Sequence, residues 1–222
     1  MNFKRFAAAV SAFAVILLGL LMLAGCAPQG GAKGEITVAL EGTWSPWGYH
    51  DQSGELVGYD VEVARAIAEK LGVKAAFVEG EFNGLLAGLE AGRYDIMVNG
   101  VEIDEARKEK YDFSAPYAYN RTVVITRADD DSIQSMEDLN GKSTANTLHS
   151  TYANVAESYG AEVTGVDDFI QTIELLNSGR IDATLNAEVS YYDYMAQHPD
   201  ANVKIACIDP QSTQVAIPIR KG

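Results

Sequence analysis

The 222-residue sequence predicts an α/β protein of two β/α lobes joined by two extended crossings, and three observations carry that expectation. Strand-like and helix-like segments alternate as β-α-β-α-β from Glu35 to Val98. The acidic patch Asp129-Asp130-Asp131 then breaks the pattern, and a second β/α series begins at Lys142. Late in the chain Val215, Ile217 and Ile219 alternate like a strand returning to the first lobe. Strands alternating with helices of this length argue for parallel sheet with ligands at the strand carboxyl ends. The competing architecture is one continuous doubly wound sheet. The expected division is 35–125 for lobe 1, 126–212 for lobe 2 and 213–222 for the return strand. Two such crossings form a hinge.

The first strand is expected over Glu35–Leu40, followed by the loop Glu41–Gly48, which sets two tryptophans beside turn-formers. Val63, Ile67 and Leu71 recur at four-residue steps and Gly72 follows, which predicts a helix over 58–71. A strand at 74–78, a helix at 82–91 on Leu85, Leu86 and Leu89, and a strand at 94–98 complete the first series. The β-branched run 122–126 reads as a strand, with the first crossing placed at the acidic patch after it. Ser135 and Asp138 have the spacing of a capping box opening one short turn. The second series has strands near 142–147, 162–166, 181–185 and 203–206, with helices at 151–158, 168–177 and 188–197. Pro218 would confine the last strand to an edge or hinge position, since it cannot donate to a ladder.

Before the first strand lies a targeting segment. Lys4 and Arg5 precede an apolar run, Phe6 to Leu23, that ends in Leu23-Ala24-Gly25-Cys26, the layout of a secretory signal over 1–25. A permanent transmembrane helix is the other reading of that run. The tetrad resembles a bacterial lipobox, which implies lipidation of Cys26 and a flexible tether over 26–34. Removing 1–25 takes away Lys4 and Arg5 and no acid, so the net charge moves from −14 to −16. Such a balance disfavours nucleic acid and electrostatic attachment to anionic lipid. Cys207 is the only other cysteine, so a lipidated Cys26 leaves no disulfide within the chain; Cys207 lies in an apolar stretch and is expected to be an inert thiol. His50, His149 and His198 are scattered without ligand spacing, so neither a metal nor a cofactor is expected.

The stretch richest in chemistry runs from Asn99 to Tyr117. A strand ends in Asn99-Gly100, Asp104 and Glu105 can cap a helix, and Arg107 falls in its first turn. A guanidinium and free backbone N–H groups at a strand's carboxyl end suit a small carboxylate. A surface arginine on a polar turn is the plain alternative.

Gly100-x-x-Ile103-x-x-x-Arg107 followed by Tyr111-Asp112-Phe113-Ser114-x-Pro116-Tyr117 resembles the signature of the polar-amino-acid solute-binding proteins of ABC importers, bacterial solute-binding protein family 3. Gly58-Tyr59-Asp60-Val61-Glu62-Val63 is similar to that family's GfDvdl helix start, Gly141 to Thr151 to its GKkvgv-x-x-GTT segment, Gly179 to Ala183 to GrvDA, and Arg220-Lys221-Gly222 to vrKG. The order of these motifs covers nearly all of 35–222. EGTWSPWGYHD, DATLNAEVS and YMAQHPD are most similar to cystine- and polar-amino-acid-binding members. The resemblance implies a type II periplasmic-binding-protein fold. It also implies that Arg107 holds the ligand α-carboxylate, helped by the backbone at His149, Ser150 and Thr151, and that Trp44 and Phe82 sandwich the ligand with Trp47 in support. Asn99, Gly100, Thr147, Asn186 and Glu41 complete the expected site. Read alone, Phe82 is as well explained by the core, and Ser150 and Thr151 by helix capping.

Three departures stand out. The family often has an aspartate where this chain has Ala187, and a threonine where it has Glu102; His149 replaces a glycine. Glu102, with Glu41 or Glu188, is expected to supply the negative charge for the ligand ammonium, a solvated surface acid being the plain reading of Glu102. The expected function is a monomeric, lipid-anchored extracytoplasmic binding protein that closes on an amino acid and hands it to ABC permease subunits. An enzyme resembling the cyclohexadienyl dehydratases is the alternative, because a cleft carboxylate can act as acid or base. A receptor's sensor domain is disfavoured, with no transmembrane segment after the lobes. Family members continue past vrKG with helices over the first lobe. The expectation is therefore of a fragment without its C-terminal helices, marginally stable and exposing an apolar patch there.

Overall fold

The computed structural model describes residues 34–222. The signal segment 1–25, the lipidation at Cys26 and the tether up to residue 33 lie outside the described residues.

Lobe 1 is built on β1 (Glu35–Leu40), β5 (Lys74–Glu79), β6 (Ile96–Met97), β7 (Tyr111–Phe113) and β13 (Pro218–Arg220), in the order β5-β1-β6-β13-β7. β1 runs parallel to both β5 and β6, and β13 antiparallel to β6 and β7. Helices α1 (Tyr59–Leu71) and α2 (Phe82–Glu90) cover this sheet over a core that includes Val38, Ala39, Leu85, Leu89 and Met97. The loop after β1 also forms a small antiparallel meander, β2 (Thr43–Trp44), β3 (Gly48–His50) and β4 (Leu56–Val57), which the Gly/Pro-rich sequence conceals.

α1 ends as expected, with Gly72 in the left-handed region at φ 69°. Its buried stripe is rotated from the expected one: Val61, Ala64 and Ala68 face the sheet, and Leu71 is 61% exposed. Small alanines let the helix approach closely, and the larger Val63 and Ile67 pack at its flanks. A second expectation fails at Pro218. β13 lies between β6 and β7, not at an edge. Pro218 opens the strand, the one interior position where a missing N–H removes no needed bond, and Ile219 makes the pairing with β6.

Lobe 2 contains β8 (Ala118–Arg127), β9 (Ser143–Asn146), β10 (Glu162–Gly165), β11 (Thr184–Ala187) and β12 (Val203–Val215). β11, β8 and β12 form an antiparallel sheet, β9 and β10 a parallel pair, and the bridge Thr144–Ala183 connects the two. Helices α4 (Thr151–Ser158), α5 (Phe169–Asn177) and α6 (Glu188–Gln197) pack against them, while the short α3 (Glu105–Lys110) belongs to lobe 1. The turn at Met136–Leu139 starts with Ser135 N donating to Asp138 Oδ2 at 2.9 Å. Cys207 is half-buried, and burial pushes its thiol up to about 11, which keeps it protonated at neutral pH.

The crossing differs from the sequence expectation. Val123, Val124 and Ile125 are wholly buried in the middle of the lobe 2 sheet, between β11 and β12. The acidic patch is a turn at the far end of that strand, where Arg127 pairs with Asp130 at 3.2 Å. The chain passes between lobes earlier, where Ala118–Arg121 runs antiparallel to Ser212–Val215. Val215 O accepts from Tyr117 N, Gln214 O from Ile103 N, and Val101 O from Ala216 N, which ties this ribbon to lobe 1. An apolar β-branched run belongs in a sheet interior whichever lobe owns it, so the break in composition marks the end of the strand and not the hinge.

Candidate functional site

A cleft of about 620 Å³, part of it open to solvent, lies between the lobes. Its walls come from strand carboxyl ends and helix amino ends on both sides.

On the lobe 1 side, β1 and β6 are parallel neighbours, so their carboxyl ends bring Glu41 and Asn99 together. Glu41 N donates to Asn99 Oδ1 at 2.8 Å and Asn99 Nδ2 donates to Glu41 Oε2 at 2.8 Å. Burial raises the Glu41 carboxyl to about 7; the Asn99 hydrogen bond opposes this, and the nearby charges of Glu81 and Asp168 add to it. Gly100 follows at φ 55°, and a Cβ there would lie 2.6 Å from the Trp44 ring. Only glycine gives the turn and lets the tryptophan close over it. Trp44 stands 5.5 Å from Trp47 and meets Tyr152 edge-on at 6.2 Å. Trp44 lines the cleft; Trp47 is buried behind it, in the supporting place expected.

Arg107 is 8% exposed. The α3 cap Asp104 accepts from Arg107 N and lies 3.3 Å from Nε, which fixes the side chain's base. Nη1 donates to Glu102 O at 2.8 Å and to Thr151 Oγ1 at 3.0 Å, and Nη2 to His149 O at 3.1 Å. The guanidinium also sits over the Phe82 ring at 5.5 Å. It therefore spans the cleft from lobe 1 to the start of α4 in lobe 2. His149 has φ 62°, the left-handed conformation that explains why a glycine is usual in the related motif. Ser150 caps α4, its Oγ accepting from Ala153 N at 3.2 Å.

Glu102 is 3% exposed, not a solvated surface acid. Its Oε1 accepts from Asn120 Nδ2 at 2.9 Å and Thr213 Oγ1 at 2.7 Å, one partner on each crossing strand. Asn120 Nδ2 donates as well to the Tyr152 hydroxyl at 3.0 Å. Burial, with the charge of Glu102, holds the Tyr152 hydroxyl well above its usual value.

Glu41, Trp44, Phe82, Asn99, Gly100, Glu102, Arg107, Thr147, Ser150, Thr151 and Asn186 all line this cleft. Glu188 does not: it forms a two-pronged pair with Arg121 at 2.8 and 2.9 Å, at the first turn of α6. Its role as an alternative ammonium partner is corrected, because a carboxylate engaged by both oxygens on a guanidinium outside the cleft is not free for a ligand. Asn186 is fixed by Ala187 N donating to its Oδ1 at 2.8 Å. Sequence reasoning missed Asn146, Tyr152, Asp167, Asp168, Phe169 and Thr172, which form most of the lobe 2 wall. Asp167 and Asp168 lie just past β10 after Val166, so the rule of strand carboxyl ends could have found them; Asp168, where the expected helix began, is the α5 cap. Among the described residues no cluster of three or more His, Cys, Asp or Glu could hold a metal.

Residues 36–174 match the bacterial extracellular solute-binding proteins, family 3. The chain is 40% identical to a probable amino-acid ABC transporter-binding protein of Haemophilus influenzae, over 84% of this chain and 73% of that one. It is 40% identical to the L-cystine-binding protein TcyA of Bacillus subtilis, over 86% of this chain and 71% of that one. Among solved structures, an ancestral arginine-binding protein bound to arginine superposes with a TM-score of 0.80 at 37% identity, covering 86% of this chain and 87% of the other. The unliganded, open L-cystine receptor of Neisseria gonorrhoeae is 41% identical but superposes at only 0.56, covering 86% and 81%. An ancestral amino acid-binding protein that is a precursor of cyclohexadienyl dehydratase gives 0.76 at 29% identity, covering 86% and 83%. On this match and these relatives, the chain belongs to the bacterial extracellular solute-binding proteins, family 3.

Proposed function

We propose that this protein is the binding component of an ABC importer and captures a polar amino acid between its lobes. The observation that carries the reading is Arg107, nearly buried yet lining the cleft and reaching residues of both lobes. A ligand α-carboxylate takes the place of His149 O on the guanidinium, beside the retained Thr151 hydroxyl, and gains the N–H groups at the start of α4. Glu102 then faces the ammonium, its charge held in position by Asn120 and Thr213, and Trp44 and Phe82 enclose the ligand's body.

Closure is the proposed motion. The lobes superpose well on an arginine-bound relative and poorly on an open one of higher identity, which supports a closed arrangement with a hinge at Ala118–Arg121 and Ser212–Val215. A ligand that touches both lobes has its full set of contacts only when they are together, so binding selects that state. Only then do both rims present themselves correctly to permease subunits. We further propose that a lipid on Cys26 holds the protein, as a monomer, at the outer face of the cell membrane, with 35–117 and 216–222 in lobe 1, 122–211 in lobe 2 and the paired crossing strands between them.

The named relatives are binding proteins, and the dehydratase-related neighbour is itself an ancestral amino acid-binding protein, which supports binding without turnover. Calorimetry against the common amino acids and L-cystine, with product analysis after overnight incubation, tests this. Tight binding of at least one of them with the ligand recovered intact is expected. Turnover, or no binding across the panel, contradicts it.

A further inference from the structure

We propose that Asp60 and Tyr117 are positioning residues for recognition: the bond between their side chains fixes the Trp44–Trp47 wall of the cleft relative to the root of the hinge. Neither residue lines the cleft. The inference rests on the amino-acid reading above and extends it to a joint behind the site.

Trp44 walls the cleft, yet no hydrogen bond of its own ties its ring down. The indole N–H groups of Trp44 and Trp47 are buried, and neither has a partner among the described residues. The wall is anchored instead through the main chain behind it. Trp44 leans on Trp47 at 5.5 Å. Trp47 O accepts from Asp60 N at 2.8 Å, and Pro46 O accepts from Tyr59 N at 3.0 Å. The loop thus takes up two of the N–H groups that the start of α1 leaves free. Gly58 has φ 124°, and a Cβ there would run into the Pro46 and Trp47 carbonyls. Loop and helix start are therefore in direct contact and form one unit.

Tyr117 sets where that unit stands. Its hydroxyl donates to Asp60 Oδ1 at 2.7 Å, its carbonyl accepts from the Tyr59 hydroxyl at 3.1 Å, and the two tyrosine rings stack at 6.0 Å. Tyr117 N donates to Val215 O at 2.9 Å, and the next residue opens the crossing strand Ala118–Arg121. The Gly58-Tyr59-Asp60 and Pro116-Tyr117 motifs, far apart in the chain, meet at this joint. Gly100 lies beside it too: its N–H opposes the rise that burial imposes on both the Asp60 carboxyl and the Tyr117 hydroxyl. Asp60 is 1% exposed, and its other oxygen has no partner among the described residues, so the Tyr117 bond alone aims the side chain. A path of contacts then runs from Val215 through Tyr117, Asp60 and Trp47 to Trp44. Trp44 in turn meets Tyr152 of lobe 2 edge-on, so a wall that shifts loses its fit to the ligand and to the far lobe together.

Trp44 and Trp47 are the only tryptophans in the chain, so intrinsic emission reports this wall alone. The test reads emission without ligand, and calorimetry with whichever of the common amino acids and L-cystine binds the wild type tightest. It uses the full chain as wild type, Tyr117→Phe, Asp60→Ala, their double variant and Asp60→Asn, at a temperature where each is folded. Tyr117→Phe keeps the ring stack and removes only the hydroxyl, while the asparagine can still accept from Tyr117. Tyr117→Phe and Asp60→Ala should each shift emission to longer wavelength and weaken binding about three- to tenfold. The double variant should add little to either loss, because both changes remove the same bond. Asp60→Asn should keep the wild-type emission and an affinity within about twofold. Where Asp60→Ala does not fold, Tyr117→Phe against Asp60→Asn carries the comparison. Unchanged emission in Tyr117→Phe overturns the positioning role, and so does lost stability with unaltered affinity, the signature of a bond that only supports the fold. Both of these outcomes leave the amino-acid reading intact. A wild type that binds none of the panel overturns the proposal through the reading beneath it.

Discussion

Arg107 Nη1 donates to the Thr151 hydroxyl across 3.0 Å, joining the helix that follows the Asn99-Gly100 turn to the first residue of α4 in the opposite lobe. The bond is made only when the lobes meet, so it contributes to the closed state and not to either lobe alone. Thr151→Val keeps the shape and removes the hydroxyl. A single hydrogen bond to a charged donor is worth about 1–2 kcal/mol, so ligand affinity should fall roughly five- to thirtyfold. Stopped-flow binding should place most of that loss in faster dissociation. Unaltered affinity would mean that the hydroxyl takes no part in closure.

His149 offers a stability test beside the site. It holds φ 62° with a full side chain, a conformation costing roughly 1–2 kcal/mol for an L-residue. Glycine adopts it freely but loses about 0.5–1 kcal/mol through its looser unfolded state. His149→Gly is therefore expected to stabilise the protein by about 0.5–1 kcal/mol and to raise the melting temperature by roughly 1–4 °C. A lower melting temperature would show that the imidazole contributes contacts exceeding the backbone strain.

Glu102→Gln tests the ammonium side. Glutamine can still accept from Asn120 and Thr213 through its amide oxygen, so the crossing ribbon keeps its support. What disappears is the charge. A buried charged hydrogen bond contributes about 1.5–3 kcal/mol, and ligand affinity should drop tenfold or more. Isothermal calorimetry with an unchanged melting curve in the absence of ligand reads this directly. Equal affinity would remove Glu102 from ammonium binding.

Asp60 sets a pH dependence of stability. It is 1% exposed at the start of α1, where Oδ1 accepts from the Tyr117 hydroxyl at 2.7 Å and Oδ2 has no partner among the described residues. Burial raises its carboxyl from 3.8 to about 7, against the lowering effect of the Tyr117 bond. Glu41 is raised in the same way. Between about pH 4 and 7 the folded protein holds protons that the unfolded chain has released, so stability falls as pH rises through that window and levels off above it. Asp130 and Asp138 act oppositely: backbone hydrogen bonds lower them, and the stability they add is lost as pH falls below about 4. Chemical denaturation should find a maximum near pH 4–5 and a decline toward pH 7.5. Asp60→Asn, which can still accept from Tyr117, should remove about 2–4 kcal/mol of that decline. An identical decline in the variant would assign it elsewhere.

The elements most legible in the sequence were those whose signals are local. Thr151–Ser158 starts at the Ser150 cap, and Gly72 ends its helix where a left-handed cap is needed. What could not be read depends on partners distant in the chain. The meander around Trp44 looks like loop because its strands are two or three residues long. The hinge was misplaced because Thr122–Thr126 reads as strand without saying which sheet it enters. Of the candidate site, the lobe 1 residues stood out as aromatic or charged groups in turns. The lobe 2 wall was hidden: Asn146 and Thr172 are small polar groups on ordinary elements, and only the tertiary fold brings them to the cleft. Glu188 illustrates the converse, an acid at a plausible position whose charge is claimed by Arg121.

The claim on which the rest depends is that the Arg107 guanidinium grips the ligand carboxylate. Calorimetry of Arg107→Ala with the wild type's best amino acid tests it most directly, alongside a melting curve to establish that the variant folds. Removing a bidentate charged pair should weaken binding at least a hundredfold, about 3 kcal/mol or more, with the ligand-induced rise in melting temperature abolished. A folded Arg107→Ala protein that binds the same amino acid within twofold of the wild type would contradict the account.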